Sequence, residues 1–179
     1  MPNIALPHHT TENMKNWFDY FNSQYQYIRG DFNLRLGGVL TNSIERAGNV
    51  SSGATDLVDY IFEKNQLKNN GDILTFSFKG TYAANGNNKQ LEIEFGSQTI
   101  FDTTALAIND GAWILDVEVI RTSASTQDIF VKAFYNDLAK TAYIAGTQSD
   151  NITIKLTATG VATDDIELKS YIFNFNPID

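Results

Sequence analysis

The sequence predicts an all-β protein: an antiparallel, eight-stranded jelly-roll sandwich preceded by one amphipathic helix. Three observations carry that prediction. From residue 56 onward, apolar and polar residues alternate with period 2, the pattern of strands with one dry and one wet face. No helical pattern separates these runs, which excludes a parallel βαβ sheet. Clusters of Gly, Asn, Asp and Ser punctuate them at turn spacing.

The elements follow in order. Residues 1–10, with Pro2 and Pro7, form a loose arm. Thr10 and Thr11 offer an N-cap and Glu12 a first-turn negative charge. Met14, Trp17, Phe18, Phe21, Tyr25 and Ile28 then recur at helical spacing, which predicts a helix over 11–28, with Gly30 at its end. A lone amphipathic helix must bury its face. The stripe packs either on the domain of its own chain or against copies of itself, which makes it the candidate oligomerisation and anchoring element. Residues 29–55 read as an extended connector rich in Gly and Ser.

Strands are expected over 56–62, 74–82, 90–95, 98–102, 113–120, 129–135, 152–159 and 166–175. The segment from Ala83 to Asn88 reads as a connection between two of them. The last strand is apolar at Ile166 and Leu168, then at Tyr171, Phe173 and Phe175. A parity switch within one strand marks a bulge near Lys169 and Ser170. The expected organisation is an N-terminal arm, helix and connector over 1–45 and a β domain over 46–179.

Bulk composition narrows the function. With 13 basic against 21 acidic residues the net charge is -8, and no Lys/Arg run is present. Nucleic acid is thus not an expected partner, since its phosphates demand a positive field. No segment approaches the roughly 20 apolar residues of a membrane span, so no membrane insertion is expected. The N-terminus has no basic region followed by an apolar run, which predicts synthesis in a cytoplasm. The absence of cysteine excludes disulfides, thiolate metal sites and a cysteine nucleophile.

The order of turn motifs resembles a known family. Gly48-Asn-Val-Ser-Ser-Gly-Ala-Thr-Asp-Leu57 is followed by Asn65-Gln-Leu-Lys-Asn-Asn-Gly-Asp72 and Gly80-Thr-Tyr-Ala-Ala-Asn-Gly-Asn-Asn-Lys89. Gly111-Ala-Trp113 then opens a strand ending Ile120-Arg-Thr122, and Thr157-Ala-Thr-Gly-Val-Ala-Thr-Asp-Asp-Ile166 leads into the last strand. This resembles the jelly-roll domain of bacteriophage virion appendages (tail fibres, spikes and head fibres) over residues 46–176. The resemblance implies a non-enzymatic structural protein on the virion exterior, a homotrimer, and a role in host attachment. It makes a host-surface glycan a possible partner; residues 1–45 lie outside the resemblance, and their aromatic stripe and Gly-rich connector give the expectation that they grip another virion protein. A capsid-decorating protein without receptor role and a carbohydrate-binding module are the alternatives.

Candidate chemistry is sparse. His8 and His9 stand alone in the arm, short of a metal-ligand set. Glu92, Glu94, Asp116 and Glu118 face outward; on neighbouring strands they would form a surface for a hard cation or a glycosidase pair. A solvated acidic face that keeps the protein soluble is the stronger reading, so no metal, cofactor or catalytic residue is assigned. Tyr82, Trp113, Tyr135, Tyr143 and Tyr171 would stack on sugar rings if exposed, although Trp113 and Tyr135 lie on the dry parity. Ile73, Ile100, Phe130, Phe134 and Phe173 are the candidates for an apolar face between copies.

Overall fold

The structure is a computed structural model that describes residues 38–44, 47–50, 52–63, 66–135, 138–147 and 151–178. The expected helix at 11–28, its aromatic stripe from Met14 to Ile28, and His8 and His9 lie outside the described residues. The chain divides into two compact units, Met1–Leu36 and Gly37–Asp179. Every described residue belongs to the second.

That unit is all-β. Its described residues form ten strands: β1 Gly38–Ser43, β2 Ala47–Gly48, β3 Gly53–Phe62, β4 Ile73–Phe95, β5 Gln98–Asp102, β6 Leu106–Arg121, β7 Thr126–Tyr135, β8 Leu138–Thr147, β9 Ile152–Gly160 and β10 Ile166–Asn176. The strands pair antiparallel throughout. A major sheet runs β1-β10-β4-β6-β7-β8, with β2 also on β10. A minor sheet runs β3-β9-β4-β5. The long strand β4 belongs to both. Its first half pairs with β10 and β6, and its last six residues with β9 and β5.

The buried faces of the two sheets meet. Tyr60 of β3 stacks on Phe173 of β10 with ring centroids 4.4 Å apart. Phe101 of β5 meets Tyr135 of β7 edge-on at 5.9 Å. Trp113, Leu115, Val117 and Val119 of β6 alternate into the same core, as do Ile152, Ile154, Leu156 and Ala158 of β9.

Three differences from the sequence reading have physical causes. The connector expected over 29–55 carries β1 and β2, which complete the ladder on β10. They lack the period-2 signal because neither face of these short strands is buried: every residue of β1 and β2 is exposed or half-buried. Leu138–Thr147 forms β8 against β7. The segment from Ala83 to Asn88 is not a connection: β4 runs straight through it, with a register shift between Ala84 and Asn88. Even positions are buried before the shift (Leu74, Phe76, Phe78, Tyr82) and odd ones after it (Leu91, Ile93, Phe95). A bulge thus lets one strand bury first against one sheet and then against the other. The bulge expected near Lys169 and Ser170 is present as a register shift between Leu168 and Ser170.

Gly80 marks the tightest approach in β4. A Cβ there would lie 2.0 Å from the Glu167 carbonyl oxygen and 2.2 Å from the Trp113 indole. Neither a ladder carbonyl nor a ring that is 1% exposed has room to retreat. Gly80→Ala is expected to destabilise the fold by about 2–3 kcal/mol through overpacking. Chemical denaturation checks this; a cost under about 0.5 kcal/mol would show that strand and indole separate freely.

Candidate functional site

The turn motifs converge on one buried polar knot. Asp165, at the corner between β9 and β10, is 0% exposed. Its Oδ2 accepts from the Val161 N–H at 2.8 Å and the Ala162 N–H at 2.7 Å. Asn87 of the β4 bulge donates from Nδ2 to both carboxylate oxygens at 3.1–3.2 Å, and Asn85 donates to Oδ1. Asn85 in turn accepts from the buried Lys89 ammonium at 2.8 Å, and Lys89 also donates to the Ile108 carbonyl at 2.6 Å. Asn49 closes the knot: its amide donates to the Ala162 carbonyl at 2.8 Å and accepts from the Ile166 N–H at 2.8 Å.

Burial pushes the Asp165 carboxyl up, but the donors from Ala162, Asn85, Val161 and Asn87 outweigh it and hold it at about 2. Burial likewise lowers the Lys89 ammonium, opposed by the charge of Asp165. A Cβ at Gly160 would sit 2.5 Å from the Asn49 amide, so only glycine admits that side chain. The stretches at 48–57, 80–89 and 157–166, read separately as turns, are therefore three parts of one internal tie. Asp165 stands in the turn between β9 and β10, its N–H bonded to the Ala162 carbonyl at 3.3 Å, yet it is buried, and two of its four donors, Asn85 and Asn87, lie about 80 residues away in sequence.

A second acidic residue does the same at the opposite loop. Asp72 is 1% exposed and accepts from the Lys68 and Asn69 N–H groups at 2.8 and 2.7 Å. Its other oxygen takes the Ile178 N–H at 2.9 Å, tying the C-terminal residues to the 66–72 loop. Both ties are fully engaged internally and offer little to a ligand.

The open chemistry lies on the outer face of the major sheet. Register places its outward side chains in rows across β10, β4, β6 and β7. One row runs Ile172, Ser77, Asp116, Lys132 and the next Asn174, Thr75, Glu118, Phe130. These eight residues line a shallow groove of about 280 Å³. Among the described residues, no hydrogen bond or ion pair engages the side chains of Thr75, Ser77, Asp116, Glu118, Lys132 or Asn174. The Ser77 hydroxyl is out of solvent contact and still has no partner. The row beyond Asp116 runs Ser170, Lys79, Ile114, Phe134, and its last two members are directly opposed and 39% and 55% exposed.

The minor sheet's outer face is built differently. Asp56 accepts from Lys155 at 3.0 Å and from Thr157 at 2.9 Å, and the Lys155 bond is the first cause of its lowered pKa. Thr99 donates to Glu92 at 2.7 Å, and Gln90 to Asp102 at 2.9 Å. Several polar groups of this face are paired with one another, whereas those around the concavity of the major sheet are not.

Several expected constellations do not assemble. Glu92 and Glu94 pair with β9 and β5 in the minor sheet, whereas Asp116 and Glu118 lie on β6 in the major sheet. The four carboxylates therefore do not share one surface, and no group of three or more His, Asp or Glu among the described residues is arranged to hold a metal. Tyr82, Trp113 and Tyr135 are 3%, 1% and 6% exposed and belong to the core, so they form no stacking platform. The half-buried Tyr171 packs edge-on against Phe173. Of the apolar candidates, Ile100 and Phe173 are core residues, Ile73 is half-buried, and only Phe130 and Phe134 are exposed. No helix among the described residues is long and apolar enough to cross a membrane. Neither a protein-family model nor a curated protein matches the sequence.

Proposed function

We propose that the chain is a subunit of a homotrimeric bacteriophage virion appendage, exposed on the particle, that attaches to the host by binding rather than by catalysis. In this reading the two sheets are the layers of a jelly-roll sandwich, and the N-terminal residues grip another virion protein. The observation that carries it is the outer face of the major sheet. An exposed apolar pair, Ile114 and Phe134, adjoins an open polar groove on a chain of net charge -8. Exposed apolar surface next to unsatisfied polar groups marks a recognition face rather than a solvated wall. The family resemblance across residues 46–176 supplies the virion context.

Light scattering on a sizing column tests the assembly. The full chain is expected at the mass of three copies. Ile114→Ser with Phe134→Ser is expected to weaken that trimer at least tenfold if those side chains sit in the contact. A single-copy mass for the parent would overturn the appendage reading and bring a monomeric carbohydrate-binding module forward. Deleting residues 1–30 is expected to give particles that lack the appendage; normal incorporation would remove the anchoring role.

A further inference from the structure

We propose that the groove across β10, β4, β6 and β7 is a saccharide subsite that takes one neutral pyranose ring. The inference deepens the attachment reading above and rests on the major sheet's outer face being a recognition surface. Its first support is the contrast between the two outer faces. Both are polar, yet Asp56, Glu92 and Asp102 find partners on the minor sheet. Asp116, Glu118 and Lys132 find none among the described residues, although Asp116 and Lys132 are direct register partners. The exposed charges of this lining are held by water, which a ligand bringing its own donors and acceptors can replace, and the Ser77 hydroxyl, out of solvent contact, has no partner at all.

The chemistry of the lining selects the occupant. Asp116 and Glu118 are acceptors only, Lys132 is a donor only, and Thr75, Ser77 and Asn174 are both. A sugar hydroxyl donates and accepts at once and can bridge such a mixed set. Apolar side chains pressed onto this lining would leave its polar groups without partners, which sugar hydroxyls would supply. Two carboxylates against one ammonium repel a phosphate, a uronate or a sialic acid. Phe130 and Ile172 stand at opposite flanks of the groove and offer apolar surface to the C–H face of a ring. The volume of about 280 Å³ falls just below the range of drug-sized pockets, roughly 300–1,000 Å³, and suits a single ring with the rest of the glycan outside.

Saturation-transfer NMR and calorimetric titration of the full chain with glucose, galactose, mannose and N-acetylglucosamine test the proposal. At least one of these sugars is expected to bind. Asp116→Ala and Lys132→Ala are each expected to weaken that binding at least tenfold, while Asp56→Ala on the minor sheet leaves it unchanged. All three side chains stand on outer faces, and a thermal melt matching the parent's shows that each variant is folded. Binding of none of the four, or binding unchanged in both groove variants, would overturn the subsite. A trimer that binds no neutral sugar sinks the subsite and leaves the appendage reading standing. A monomer whose sugar binding depends on Asp116 does the reverse.

Discussion

Asp165→Ala is expected to destabilise the protein by about 3–5 kcal/mol. The side chain is fully buried and accepts from two backbone N–H groups and two asparagine amides. Its removal orphans those donors and leaves the buried Lys89 ammonium without its neighbouring negative charge. Asp165→Asn keeps the volume and one acceptor, so about half that cost is expected. The effect carries a pH signature. The folded carboxyl titrates at about 2, below its ordinary value of 3.8, so the folded state binds this proton more weakly than the unfolded chain does. Its contribution is therefore fully present above about pH 4 and is lost as the pH falls toward 2. Urea unfolding of the parent and Asp165→Asn at pH 7 and near pH 2 checks this. The gap between them should close in acid, and an equal gap at both pH values would show that the charge of Asp165 is immaterial.

Phe173→Ala is expected to cost a further class of stability, about 3–5 kcal/mol from a cavity at the centre of the core. Phe173 stacks on Tyr60 and on Phe76, at 4.4 and 5.3 Å, and meets Phe78 and Tyr171 edge-on at 5.8 and 5.9 Å. It is the ring through which β3 of one sheet holds β4 and β10 of the other. Phe173→Leu retains most of the volume and should cost under about 1.5 kcal/mol. Because the residue is 0% exposed, the loss should appear in unfolding at every protein concentration. A variant whose fold is intact but whose copies dissociate on dilution would instead place Phe173 in an interface.

The strands of the core were legible residue by residue. In β6, β7 and β9 each apolar position of the period-2 pattern is buried, from Trp113 to Val119, Ile129 to Tyr135 and Ile152 to Ala158. Even the β10 bulge was visible, because a register shift must change which parity is apolar. The β4 bulge obeyed the same rule and was still read as a loop. Asn85, Gly86 and Asn87 are turn formers by local chemistry, and their true partner, Asp165, stands about 80 residues downstream. The groove was not legible either. Asp116 and Lys132 are ordinary outward residues of separate strands, and only pairing makes them neighbours. The same pairing separated Glu92 and Glu94 from Asp116 and Glu118, which local spacing had allowed to meet.

By itself, then, the sequence determined the all-β class, the antiparallel pairing habit and the inward set of strands such as β6, β7 and β9. Those depend on side-chain alternation, a property of neighbours along the chain. Which strands adjoin, where β4 passes from one sheet to the other, and which polar groups end up paired or open were decided only in the tertiary structure. Those depend on contacts between residues far apart in sequence, which alternation along one strand does not encode.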